Sequence, residues 1–190
     1  MKRVIAVAGS ARRDGNSDTV LDRALAGMRK ARPDLQVEAI IPSEMQIEPC
    51  RSCNACWESG NCVIDDELQE MYPRFESADY IVVATPIYFT NVPGELKVLI
   101  DRFQCFWART YLHENPPTPQ GEGLLGCVGA MDNRRYYESV LSVVKTWLST
   151  LNVRCTVSRF YSGLDAKGAI LKREDYLNDA EKAGTELVRQ

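Results

Sequence analysis

Histidine is almost missing from this chain. One, His113, stands among 190 residues, in a proline-rich stretch where it reads as a solvated bystander. No other side chain stands out as a required acid or base. An excess of positive charge is missing too: 23 Lys and Arg face 26 Asp and Glu, for a net charge of −3. With no basic stripe, a nucleic acid or an anionic membrane is not an expected partner. Long apolar runs are absent. The N-terminal run, residues 4–8, is shorter than a signal-peptide core and far short of the roughly 20 residues of a spanning helix. A cytoplasmic, reducing location is therefore expected. Neither G-x-x-x-x-G-K-[ST] nor G-x-G-x-x-G occurs, so nucleotide triphosphates and Rossmann-bound dinucleotides lose their usual support. Internal repeats and low-complexity segments are also lacking.

What is present is an ordinary globular composition, 45% hydrophobic and 26% charged. The length predicts a single domain over 1–190 with a real core. Four of the seven cysteines crowd into residues 50–62 at spacing C-x2-C-x2-C-x5-C. In a reducing compartment such a group is metal-binding or redox-active rather than a structural disulfide. Cys105, Cys127 and Cys155 stand alone in apolar surroundings and read as small core fillers.

Hydrophobic periodicity alternates between two periods along the chain. VIAVAGS (4–10), LQVEAII (35–41), DYIVVATP (79–86), LLGCVGAM (124–131) and VRCTVSRFY (153–161) read as strands. Val20, Leu21, Ala24, Leu25 and Met28 recur at helical spacing, and Pro33 stops the pattern. Leu68, Met71, Tyr72 and Phe75 form another helical face. Asp66 and Gln69 suit its N-cap, and Pro73 is expected to kink or end it. A helix starting near Pro93 buries Leu96, Leu99, Ile100, Phe103 and Trp107. The next buries Tyr137, Val140, Leu141, Val144, Leu148 and Leu151; a last one, from about Glu174, turns Leu177, Ala180, Gly184 and Leu187 inward. Residues 113–123 are a loop by composition. Five strands alternating with helices predict an α/β fold: an open, doubly wound parallel sheet covered on both faces. Ligands of such folds lie beyond the carboxyl ends of the strands.

The loops at those ends carry the candidate site. GSARRDGNSDT, after the first strand, offers hydroxyls, an amide and arginine at a helix N-terminus. Backbone N–H groups and the helix dipole there favour an anion, and a phosphomonoester suits the loop better than a pyrophosphate. Ser10, Asn16, Ser17 and Thr19 can donate, and Arg12 can add a charged bond. A capped turn would use some of the same residues. The second loop, ATPIYFTNVPG, places Tyr88 and Phe89 where they either cover the sheet or wall a planar ligand. In the third, AMDNRRYY, Asp132 or Asn133 is most simply a helix cap.

The pair GSARRDGNS and TPIYFTNVPGELKVLIDRF resembles the NADPH-dependent FMN reductase-like flavoproteins of flavodoxin-like fold. With the cysteine run before VIDDE, the chain is most similar to their iron–sulfur flavoprotein branch. The likeness covers about the first 110 residues and then rests on element order. It implies strand order 2-1-3-4-5, with a cysteine-rich insertion after strand 2 at about 45–65. It implies an FMN phosphate held by Ser10, Arg12, Gly15, Asn16 and Ser17, and an isoalloxazine lying along Pro86, Ile87, Tyr88 and Phe89. It also implies a 4Fe-4S cluster on Cys50, Cys53, Cys56 and Cys62, and homodimers or homotetramers with FMN near a subunit interface. The electron donor implied is NAD(P)H, or a ferredoxin or small-molecule partner.

Short gaps between cysteines let successive thiolates converge on one compact object, and iron–sulfur clusters take four of them. The spacing is not that of ferredoxins: no x3 gap and no Cys-Pro ending occur. Structural zinc normally separates its ligand pairs by a longer stretch. Three functions stay open on these residues. One is an electron-transfer oxidoreductase pairing FMN with the cluster. The second is a cluster-free NAD(P)H-dependent FMN or quinone reductase with structural cysteines. The third is a non-catalytic, zinc-stabilised binding module.

Overall fold

The structure, a computed structural model, describes residues 1–115 and 120–189. Part of the loop expected over 113–123 lies outside the described residues. Five strands, β1 (Lys2–Ala8), β2 (Leu35–Ile40), β3 (Tyr80–Pro86), β4 (Gly121–Val128) and β5 (Val153–Tyr161), form one sheet in the order β2-β1-β3-β4-β5. Every neighbouring pair is parallel. The flavodoxin-like architecture is thus present, with the order reversing between β1 and β3.

Alternation along the strands builds a core on each face. Ile5, Val7, Ile81 and Val83 point to one side, Val4, Ala6, Val82 and Ala84 to the other. The second side is covered by α1 (Asn16–Ala31) and α7 (Glu174–Leu187). These two helices touch backbone to backbone. A Cβ built on Gly184 would stand 1.8 Å from the Ala24 carbonyl oxygen, and one on Gly27 1.8 Å from that of Glu181. Gly184→Ala is therefore expected to destabilise the fold by about 1–3 kcal/mol, the scale of overpacking. The helix propensity gained, about 1 kcal/mol, is smaller, and no rotamer can move a Cβ away from a carbonyl. Denaturant unfolding that shows the variant equal to the parent chain would contradict this crossing.

The other face is covered by α3 (Leu68–Glu76), α4 (Gly94–Arg102), α5 (Gln104–Tyr111) and α6 (Arg134–Thr150). The single helix expected after Pro93 is two. Phe103 interrupts it and sets its ring 4.9 Å from Phe75 and 5.5 Å from Trp147. Helix α3 runs through Pro73, which is exposed, to Glu76. Strand β4 begins at Gly121, three residues earlier than its apolar run, and ends at Val128 rather than Met131. Its opening Gly-Glu-Gly carries no apolar signal. Small residues are needed there, because a Cβ on Gly123 would lie 2.8 Å from Leu148 and one on Gly121 3.0 Å from Val153. A short helix, α2 (Ala55–Ser59), and 3-10 turns at Pro42–Glu44 and Ala169–Lys172 were not visible in the periodicity. Among the described residues no helix is long and apolar enough to cross a membrane.

Candidate functional site

Two sequence segments some 70 residues apart meet beyond the carboxyl ends of β1, β3 and β4. A cavity of about 100 Å³ there is lined by Ser10, Arg12, Gly15, Asn16 and Ser17 from the first loop and by Pro86, Ile87 and Tyr88 from the second. Val128, Ala130, Leu164 and Asp165 complete it. Ala130 opens the third loop; Val128, Leu164 and Asp165 were missed, because no local pattern marks them, and the sheet order brings them in.

The first loop is built to present backbone. The Gly9 N–H donates to Ala84 O at 2.8 Å, keeping the end of β1 against β3. Ser10 Oγ accepts from the Arg12 N–H at 3.1 Å and turns the chain. Helix α1 then starts after Gly15. The N–H groups of its first turn have no intrahelical partner and carry the positive end of the dipole. Arg13 is engaged by Asp18 at 3.0 Å and Glu44 at 3.4 Å. Arg12 has no carboxylate partner among the described residues; its guanidinium reaches only the Asp165 carbonyl, at 3.4 Å. Asp18 sits in the same first turn. Burial raises its pKa, opposed by Arg13 and the Asp14 N–H.

Two side chains expected to donate to an anion are otherwise engaged. Asn16 Nδ2 donates to Ala166 O at 2.9 Å, and its Oδ1 accepts from the Ile170 N–H at 3.2 Å. This amide holds the 164–170 segment over the cavity. Thr19 Oγ1 donates to Gly15 O within the helix. In the second loop the Ile87 N–H donates to Val128 O, and Tyr88 and Asn91 exchange two backbone bonds. Between them Phe89 and Thr90 take φ of 48° and 65°, a type I′ turn in which both residues are strained. Phe89 is fully exposed and does not line the cavity. Asn133 caps α6 by accepting from the Arg135 N–H at 3.1 Å.

The cysteine segment forms a second cavity, of about 370 Å³, on the α4–α5 side. Cys50, Cys53, Cys56 and Cys62 all line it, with Arg102 and Cys105. Ser52 and Asn54, between successive cysteines, have φ of 50° and 60°. Alternation with left-handed residues turns backbone N–H groups to one side, an arrangement common around phosphates and iron–sulfur clusters. Among the described residues no three His, Cys, Asp or Glu side chains are close enough to hold a single metal ion. A cubane places each thiolate on a different iron, so its ligands ring a volume rather than a point.

Bonds from the helices fix this segment at both ends and in the middle. Arg102 donates to Glu48 O at 2.7 Å and to the Asp66 carboxylate. Gln69 Nε2 donates to Cys62 O at 2.9 Å and Ile64 O at 2.6 Å, so it serves the cysteine segment rather than a reciprocal cap with Asp66. Asp66 alone caps α3, accepting from the Leu68 N–H at 3.1 Å. Arg109 Nε donates to Gly60 O at 2.7 Å. His113 is exposed, as expected, and its Nε2 lies 2.9 Å from Trp57 O.

Burial raises the Cys56 thiol, and the neighbouring Cys62, Cys50 and Cys53 raise it further. A cation among them would favour the thiolate form. Burial also pushes Cys105 up to about 11, Cys155 to about 11 and Cys127 to about 12. Cys105 and Cys127 are buried core residues as expected, and Cys155 is half-buried. That Cys105 also faces the cysteine cavity had no sequence signal.

Comparison with known proteins follows the same lines. An iron–sulfur flavoprotein of Methanosarcina thermophila is 35% identical over 100 residues, 53% of this chain and 51% of that protein. One of Methanocaldococcus jannaschii matches equally, 35% over 100 residues, 53% and 51%. The chain spans about half the length of these curated relatives. In fold, it is similar to an FMN-dependent NADH-azoreductase of Bacillus anthracis solved in complex with FMN. The TM-score is 0.72 at 16% identity, covering 98% of this chain and 99% of that one. The sheet order, the phosphate-type loop at its switch point and a family model for NADPH-dependent FMN reductase that matches residues 2–159 agree, and the chain belongs to that family.

Proposed function

We propose that this chain is an FMN-dependent electron-transfer oxidoreductase, coupling FMN at the first cavity to a 4Fe-4S cluster on Cys50, Cys53, Cys56 and Cys62. One observation carries the flavin half: Ser10, Arg12, Gly15, Asn16 and Ser17 meet Pro86, Ile87 and Tyr88 around one cavity at the switch point of the sheet. At about 100 Å³ that cavity suits a phosphate and the start of a polyol. The first-turn N–H groups of α1 and the free Arg12 charge bind the phosphate. Pro86, Ile87 and half-exposed Tyr88 would lie along the ring. Asn16 acts through the 164–170 segment it holds rather than as a direct donor.

The cluster half is supported by four thiols around one prearranged cavity and by the names of the relatives. A flavin exchanges electrons in pairs or singly, a 4Fe-4S centre singly, and a protein holding both converts between hydride and one-electron partners. Helix α4 starts at the flavin loop and ends at Arg102 on the cysteine cavity, about 13 Å at ~1.5 Å per residue. The reading takes 1–190 as one FMN-binding domain, assembling as a homodimer or homotetramer. NAD(P)H, ferredoxin or a small molecule is the electron partner.

Anaerobic purification is expected to give a brown protein with about four iron and four sulfide per FMN. A yellow protein that stays iron-free after reconstitution leaves the cluster-free reductase. Arg12→Ala is expected to weaken FMN binding by about 1.5–3 kcal/mol, the scale of a charged hydrogen bond, or roughly 10–150-fold in Kd. Flavin fluorescence titration measures it, and an unchanged Kd removes Arg12 from the phosphate site.

A further inference from the structure

Arg102 is a fully buried side chain, and a guanidinium has five N–H donors that it cannot give up by deprotonation. Four have acceptors. Nη1 donates to Glu48 O and Asp66 Oδ2, and Nη2 to Asp66 Oδ1 at 3.1 Å and Ile64 O at 3.4 Å. The fifth, on Nε, is buried and has no partner among the described residues. Buried charged donors are rarely left unmatched. This one belongs to a residue that lines the cysteine cavity, with the Cys62 thiol adjoining it. The donors already matched grip the ligand segment on both sides of its cysteines, at Glu48 before Cys50 and at Ile64 and Asp66 after Cys62.

We propose that Arg102 is a positioning residue for the cysteine-held cluster: its Nη groups fix both ends of the ligand segment, and its Nε–H donates to sulfur at the Cys62 corner. The inference rests on the cluster reading given above. Four thiolates around a 4Fe-4S core leave the assembly net negative, and more so with one further electron. A hydrogen bond to sulfur therefore favours the reduced form and raises the potential. Asp66 neutralises the guanidinium charge, so the effect belongs to the directed N–H and not to a free cation.

The test uses the full chain with FMN, reconstituted anaerobically with iron and sulfide. The parent chain is compared with Arg102→Lys and with the double variant Arg102→Met, Asp66→Asn, which removes the buried pair without stranding a charge. Iron and sulfide per chain, iron loss to a ferrous chelator, cluster midpoint potential and FMN content are measured. Both variants are expected to keep their FMN and to hold iron roughly 10–100-fold less tightly, the usual effect of losing an outer hydrogen bond. Their midpoint potentials are expected to lie below that of the parent chain. Loss of loading in one variant at parental FMN content supports the clamp, and the potential of the other then decides the donor role. A clamp without the sulfur bond would change iron retention alone, so an unmoved potential overturns the donor role. Variants that match the parent chain in both overturn the whole inference. A parent chain that takes up no iron overturns the cluster reading, and this inference with it.

Discussion

Asp66→Ala is expected to lower the stability of the folded chain by about 3–5 kcal/mol, the cost of stranding one member of a buried ion pair. Its carboxylate is 8% exposed and faces an Arg102 side chain at 0%. It also accepts from the Glu48 N–H at 2.9 Å and caps α3 at Leu68. Four donors thus lose their acceptor together. For a chain of this size the loss corresponds to a fall in Tm of about 6–20 °C. Asp66→Asn, which keeps one acceptor and the volume, should lose less. The effect also has a pH signature. Burial works to raise the Asp66 pKa, but the Arg102 and backbone bonds outweigh it and hold the carboxyl below its ordinary 3.8. A depressed folded pKa contributes stability above the unfolded pKa and loses it as pH falls through the folded value. The gap between parent and variant should therefore be full near neutrality and close below about pH 4. A gap that is unchanged at pH 3, or absent at pH 7, would show that the pair carries no such energy.

Cys53→Ala is expected to abolish the cluster outright and leave the flavin in place. Cys53 is exposed on the rim of its cavity, so its removal costs the fold little, within about 0.5 kcal/mol. A cubane takes a thiolate on each iron, and the one further cysteine lining the cavity, Cys105, is buried. The two cavities share no lining residue. FMN content should accordingly equal that of the parent chain while iron and sulfide fall to background. Retention of the parental iron count would remove Cys53 from the ligand set. Loss of FMN together with iron would show that the two sites depend on each other, which their separate linings do not predict.

Strand and helix order were legible because burial repeats along the chain. Val4 to Ala8 and Tyr80 to Ala84 alternate between two cores, and Val20, Leu21, Ala24, Leu25 and Met28 all lie on the buried stripe of α1. The polar loop at the switch point was legible because glycine, hydroxyls and arginine sit within one turn of a helix start. Where signals depended on a distant partner, the sequence was silent or misleading. Gly121 to Gly123 look like a loop until β3 and β5 pair with them. Phe89, read as lining a flavin ring, stands in solvent at the turn that Tyr88 and Asn91 close. Asn16 looks like an anion donor, yet its amide is bound to Ala166 and Ile170, about 150 residues on.

By itself the sequence determined the alternation of strands and helices, the anion-type loop and the set of four clustered cysteines, since each is written in residues near one another in the chain. Only the tertiary structure decided which loops share a cavity, that Arg102 fastens the cysteine segment, and that one of its buried donors has no partner among the described residues. Those facts depend on which buried polar groups meet after the sheet has closed, and the demand that each find a partner operates in space, not along the chain.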